Sequence, residues 1–181
     1  MARFEGSSAN DVIRGTASDD RIEGRGGNDT LYGLGGNDEL RGGWGADILY
    51  GGDGQDRLRG EEGNDRLFGE GGNDELEGDW GDDILNGGAG RDMLEGGTGN
   101  DRLTGGAGAD IFKFEEGNNG RDVITDFQDG IDRIKIDGGE TFRDLHIAND
   151  ANGNAVVSWD AGYLTVTGVG AAQLTYADFI F

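Results

Sequence analysis

The chain has no cysteine, no proline and a single histidine, His146, in 181 residues. Without cysteine there are no disulfides and no thiolate metal ligands. One histidine cannot make a two-histidine zinc site of the HExxH kind. The lack of proline excludes a stiff Pro-rich stalk. No run is long and apolar enough to span a bilayer, and the polar start MARFEGSSANDVIRG has no apolar core of a secretory signal peptide. Neither a G-x-S-x-G elbow nor a phosphate-cradling G-x-x-x-x-G-K is present. With no catalytic constellation, the chain reads as a binding or structural protein and not an enzyme.

Basic residues are scarce as well. Fifteen Lys and Arg face 37 Asp and Glu, a formal charge of −22. Such a polyanion argues against nucleic acid, and it has no amphipathic helix for stable membrane insertion. Without counter-ions it repels itself and stays expanded. Hydrophobic residues make up 34% of the chain. Glycine numbers 39, where average usage gives about 13. Each glycine ordered in a fold loses more backbone entropy than any other residue, so an oily core alone is too small for this chain. A second source of folding energy is required, and the charge points to cations.

Residues 6–113 repeat one nine-residue phrase twelve times without a slip. GRGGNDTLY (24–32), GGWGADILY (42–50), GGDGQDRLR (51–59) and GGTGNDRLT (96–104) are clear copies. The first position is always Gly and the sixth always Asp; the fourth is Gly in ten copies, with Ala9 and Ser18 the exceptions. The eighth is always large and apolar: Ile13 and Ile22, then nine Leu, then Phe112. So short a period predicts a solenoid. The phrase divides into a loop half, GGxGxD, whose glycines permit positive φ and close backbone approach, and a strand half, xUx, with its middle residue inward. Two phrases make one coil, so twelve give six coils and a rod roughly 30 Å long. Ile13, Leu31, Leu49, Leu67, Leu85 and Leu103 then form one inward ladder. Ile22, Leu40, Leu58, Leu76, Leu94 and Phe112 form the facing one.

Stacked loops place each sixth-position Asp over the Asp two phrases away. Like charges so close require something positive between them. Carboxylate and carbonyl oxygens in a flexible cage describe calcium better than zinc, copper or magnesium. Pairing each phrase with the one two further on allows ten sites; phrases three to twelve alone give eight. Eight calcium ions bring −22 to about −6 and supply binding energy for folding. The bland alternative, Asx turns that merely cap loops, explains one or two isolated aspartates better than twelve in register. An EF-hand does not compete: the stretch from Asp150 to Asn154 (DANGN) lacks a Glu at the twelfth position and helical flanks, and reads as an Asn-Gly hairpin turn.

These phrases resemble the calcium-binding nonapeptides of the repeats-in-toxin (RTX) family, consensus GGxGxDxUx. The resemblance implies an all-β fold: a parallel β-roll over residues 6–113, closed by a small antiparallel C-terminal cap and secretion signal over 114–181. It implies that Asp29, Asp38, Asp47, Asp56, Asp65, Asp74, Asp83, Asp92, Asp101 and Asp110 bind about eight to ten Ca2+ ions. Asp11 and Asp20 match too, with Ser7-Ser8-Ala9 and Thr16-Ala17-Ser18 in place of the flexible glycines. Residues 108–136 are similar to the cap of secreted metalloproteases and alginate epimerases of this group. There Asp122 and Asp126, in a D-x-I-x-D-F phrase, can hold a further calcium or simply be exposed acids of a strand. The segments NAVVSW (154–159) and YLTVTG (163–168), joined by the Asp160-Ala-Gly162 turn, add alternating strands.

The ending Asp178-Phe-Ile-Phe181 matches the family's C-terminal signal for type I secretion. The resemblance therefore implies export by the type I apparatus of a Gram-negative bacterium to the extracellular space. Calcium affinities of order 10⁻⁴–10⁻³ M imply a chain unfolded inside and folded outside. Two other functions stay open: an extracellular polysaccharide-binding accessory like the epimerase modules, and a membrane-active or adhesive secreted factor. The ring columns bear on the first. Tyr32, Tyr50 and Phe68 recur one coil apart at the ninth position, and Trp44 and Trp80 share a column two coils apart. Such rings either bind a glycan or partner, or stiffen the sheet as a cross-strand ladder.

Overall fold

Alternation of side chains along each phrase sets the architecture. The computed structural model describes residues 1–115, 120–160 and 162–181. Strands β1 (Ala2–Glu5) and β2 (Val12–Arg14) form the first coil, followed by β3 (Asp20–Gly26) with β4 (Thr30–Gly35) and β5 (Glu39–Trp44) with β6 (Ile48–Asp53). The winding continues through β7 (Arg57–Glu62) and β8 (Arg66–Gly71), β9 (Glu75–Trp80) and β10 (Ile84–Ala89), and β11 (Met93–Thr98) and β12 (Arg102–Ala107). A seventh coil, β13 (Ile111–Glu115) with β14 (Arg121–Ile124), carries it past the last phrase. Then come β15 (Arg133–Asp137), β16 (His146–Asn149), β17 (Ala155–Trp159), β18 (Gly162–Val166) and β19 (Phe179–Ile180).

The first sheet stacks β1-β3-β5-β7-β9-β11-β13-β15-β19. The second runs β2-β4-β6-β8-β10-β12-β14-β18-β17-β16. Pairing is parallel throughout the roll and on into β15–β19 and β14–β18. It turns antiparallel only at β18–β17–β16. These strands are the expected antiparallel C-terminal element. Residues 150–154 form its hairpin turn, with Asp150 Oδ1 accepting the amides of Asn152 and Asn154 and Gly153 at φ 87°. Residues 116–119 of the 108–136 segment, and Ala161 of the turn after Trp159, lie outside the described residues.

Both apolar ladders point inward as the pattern requires. Their members are fully buried except Ile13, which is half-buried in the first coil, as Phe4 is. Phe114, Ile124, Ile134, Val157, Leu164 and Phe179 extend the same single-file core beyond the phrases. Each fully buried Leu contributes roughly 1.5–3 kcal/mol of apolar transfer.

The strands are longer than the xUx expectation. From β4 to β12 each covers six residues, and the ladder resumes at the second and third positions of the next phrase, as in Arg25↔Gly43 and Gly26↔Trp44. The true turn is only positions four to six. This changes what the glycines are for. First-position glycines are inward-facing and have no positive φ, whereas the second and fourth positions of phrases three to twelve do. A Cβ on Gly63, at φ 141°, would lie 1.7 Å from the carbonyl oxygen of Gly45 in the coil before. The fourth position therefore needs both a left-handed backbone and the bare approach of two loops.

Candidate metal centre

Period-two alternation makes positions six, eight and one of consecutive phrases all face inward. The aspartates are thus drawn inside beside the Leu ladder: Asp29 to Asp110 are each no more than 3% exposed. They stack as the repeat predicts. The N–H of each Asp donates to Oδ1 of the Asp eighteen residues on, from Asp11→Asp29 to Asp92→Asp110, at 2.7–3.0 Å.

The second oxygen of each is different. In Asp29, Asp38, Asp47, Asp56, Asp65, Asp74, Asp83, Asp92, Asp101 and Asp110, Oδ2 is buried and has no hydrogen-bond partner. An orphaned anionic oxygen is costly, and ten in two columns are not tolerated without compensation. First-position glycines explain where compensation fits. A Cβ on Gly60 would fall 2.3 Å from Asp65 Oδ2 and 2.8 Å from the carbonyl oxygen of Gly78. Bare glycine thus keeps open a space onto which a carboxylate and a carbonyl oxygen converge.

Electrostatics agrees. Burial, and then the neighbouring carboxylates, push Asp47 and Asp56 up to about 6, Asp65 and Asp74 to about 7, and Asp83 to about 8. Burial raises Asp29 and Asp38 as well. Among the described residues no three Asp, Glu or His side chains converge on one point. A cation here would draw on backbone carbonyls together with carboxylates, which suits calcium and not zinc or copper.

The remaining expected ligands are placed otherwise. Asp11 Oδ2 accepts the amide and hydroxyl of Ser7 at 2.7 and 2.9 Å, which hold its carboxyl below the usual range. Asp20 Oδ2 accepts those of Thr16 at 2.7 and 2.8 Å. Burial pulls Asp20 upward, but these bonds and the Ala2 amide outweigh it. Asp122 joins the column, its Oδ1 accepting the Asp101 amide at 3.0 Å, and burial raises it to about 7. Asp126 does not. Its two oxygens accept the amides of Gly105 and Gly106 at 2.9 and 2.8 Å.

Two features escape the nine-residue count. Asp132 continues the other column, with Oδ1 on the Asp110 amide at 3.0 Å and Oδ2 on the Gln128 amide at 2.8 Å. The fifth position builds a second ladder: Asn28 Oδ1 accepts the Ala46 amide, Asn37 that of Gln55, and Asn73 that of Arg91. Asn at six of twelve fifth positions was the signal for it.

The family model of the RTX calcium-binding nonapeptide repeat (four copies) matches residues 5–40, 24–58, 41–76, 59–94, 77–112 and 86–124. No curated protein sequence matches. Among solved structures, the extracellular lipase LipA from Serratia marcescens aligns with 100% of this chain at 21% identity and TM-score 0.37; the chain spans 40% of the lipase. The AlgE6R3 subunit of the Azotobacter vinelandii mannuronan C5-epimerase aligns with 97% of the chain and 80% of the subunit, at 23% identity and TM-score 0.42. The AlgE6R2 subunit of the same epimerase aligns with 70% of the chain and 88% of the subunit, at 27% identity and TM-score 0.36.

Proposed function

The chain belongs to the RTX calcium-binding nonapeptide repeat family, and from that premise we propose that it is a secreted module that calcium folds after type I export. The observation that carries this is the double column of ten buried, partnerless Oδ2 atoms. Asp29, Asp47, Asp65, Asp83 and Asp101 hold the ions on one side of the roll; Asp38, Asp56, Asp74, Asp92 and Asp110 hold them on the other. Calcium supplies the positive charge that lets stacked carboxylates stay ionised inside the fold. The chain supplies the rest: Oδ1 atoms lock the register, first-position glycines keep the space open, and the Leu ladders exclude water. Where calcium is scarce, repulsion wins and the chain stays extended, fit for threading.

The tail fits the same order of events. Asp178 Oδ2 accepts the amide and hydroxyl of Thr175, and Ile180 pairs with Lys135 at the end of the first sheet. A secretion apparatus that reads 178–181 would have to read it before folding. The module acts outside the cell in this reading, and the lipase and epimerase activities are no part of it. Among the described residues no helix is long and apolar enough to cross a membrane.

Far-UV circular dichroism during a calcium titration, with magnesium as control, tests the proposal. A cooperative coil-to-β transition at submillimolar to millimolar calcium supports it. A full β signal that survives chelator at about pH 8 refutes it.

One observation favours a second reading, an accessory that binds extracellular polysaccharide. Outward seventh and ninth positions of the second sheet carry no Asp or Glu from β2 to β12 but do carry Arg14, Arg66 and Arg102, with Glu70 an outward acid at the second position of β8. On a chain of charge −22, this face suits an acidic glycan. The ring ladder itself offers no platform: Tyr32, Tyr50 and Phe68 stack on one another at 5.0 Å, and Arg14 covers the outer face of Tyr32 at 4.0 Å. Polyuronate binding in calcium that is lost in R66Q/R102Q would support this reading; no binding would end it.

A further inference from the structure

Twelve aspartates match the phrase, yet only ten carry an orphaned Oδ2. The difference lies four residues upstream, at the second position. In phrases three to twelve that residue has positive φ, from 72° at Glu70 to 109° at Gly43 and Gly52, and its amide does not reach the carboxylate. Ser7 and Thr16 do not have positive φ. Their amides turn into the loop and donate to Oδ2 at 2.7 Å, with the side-chain hydroxyls adding a second bond at 2.9 and 2.8 Å. Gln128, also without positive φ, does the same to Asp132 with its amide at the other end of the roll.

The space closes accordingly. A Cβ on Gly6 or Gly15 would meet Oδ2 at 3.0 or 2.9 Å, against 2.2–2.5 Å at the first-position glycines from Gly24 to Gly105. In these end turns the carboxylate has drawn back from the glycine toward its new donors.

We propose that the second position decides whether a turn takes calcium, and that Ser7, Thr16 and Gln128 make Asp11, Asp20 and Asp132 metal-free closures of the two ends. An amide and a hydroxyl there do the work of the ion: they satisfy Oδ2 without any cation. Calcium then occupies the intervals between successive orphaned carboxylates only, four in each column of five. In the folded roll the turns of the end coils are closed by these hydrogen bonds and need no calcium. Ser or Thr at the second position, with no Gly at the fourth, marks the two turns at the start of the roll in the sequence; the Gln128 turn keeps Gly130 at the fourth.

The inference rests on calcium filling the ten orphaned carboxylates, so the experiment separates the two. Native mass spectrometry of the full chain in saturating calcium counts ions in the wild type, in D11N/D20N, and in S7G/A9G/T16G/S18G, which restores the glycines. D11N/D20N is expected to hold as many ions as the wild type, and the glycine variant two more. Loss of ions in D11N/D20N, or no gain in a folded glycine variant, overturns the proposal. The asparagine pair decides alone if the glycine variant does not fold. A wild type that holds no calcium would instead refute the calcium reading itself.

Discussion

The amide of Asp47 donates to Oδ1 of Asp65 at 2.7 Å, while Oδ2 of the same Asp65, equally buried, receives nothing. One carboxylate thus does two jobs. Its first oxygen fixes the register of neighbouring coils, and its second, in the function proposed, meets the calcium ion.

Asp65→Asn keeps the first job and removes the charge from the second. Asp65 borders two intervals of its column, toward Asp47 and toward Asp83. The variant is expected to bind fewer ions and to shift the calcium midpoint of folding upward several-fold, since the loss of a charge-assisted contact worth about 1.5–3 kcal/mol is spread over the several ions that fold the chain together. A calcium titration followed by circular dichroism checks it; an unchanged midpoint would remove Asp65 from the ligand set.

Stability without calcium should depend on pH in an unusual direction. Burial raises Asp47, Asp56, Asp101 and Asp110 to about 6, Asp65 and Asp74 to about 7, and Asp83 to about 8. The unfolded chain ionises them near about 3.9. A raised folded value means that the folded state binds protons more tightly, so the contribution is present below about pH 4 and is lost as pH rises through 6 to 8. The chelated chain is expected to show more β signal at pH 5 than at pH 8, and calcium should reverse the order. Equal signals at both pH values in chelator would contradict it.

The inward ladders, the aspartate columns and the Tyr32–Tyr50–Phe68 stack were legible because each recurs at a strict interval. What the interval could not carry is backbone sign. Leu34, Arg25 and Glu61 sit at φ 83°, 81° and 76°, against the preference of their side chains, because the next coil fixes the turn. Nor could it carry the column past Lys113. There the step lengthens from 18 to 21 residues at Asp101–Asp122 and 22 at Asp110–Asp132, so the phase is lost while the stacking continues. Asp126 shows the converse, matching a motif yet committed to the Gly105 and Gly106 amides.

Those strained positions give a prediction of opposite sign from the usual mutation. Leu34→Gly relieves a left-handed residue that is half exposed and buries nothing in the core, and should stabilise the calcium form by up to about 1 kcal/mol. Gly54→Ala should do the reverse, because a Cβ there meets the Gly36 carbonyl oxygen at 1.9 Å. Urea unfolding in saturating calcium measures both. Equal midpoints for the two variants would show that the turn tolerates either backbone.

The single-file core has no slack. Leu49→Ala removes a fully buried side chain between Leu31 and Leu67 and should cost about 2–5 kcal/mol in calcium. The same urea series reads it. A loss below about 1 kcal/mol would mean that the metal columns alone hold the coils.

The most direct test is anomalous diffraction from crystals grown in calcium, which locates each ion beside named atoms. Peaks are expected between successive turns beside Oδ2 of Asp29 through Asp110, with none beside Asp11 or Asp20. A folded roll without peaks at those ten oxygens would contradict the claim that calcium completes this fold.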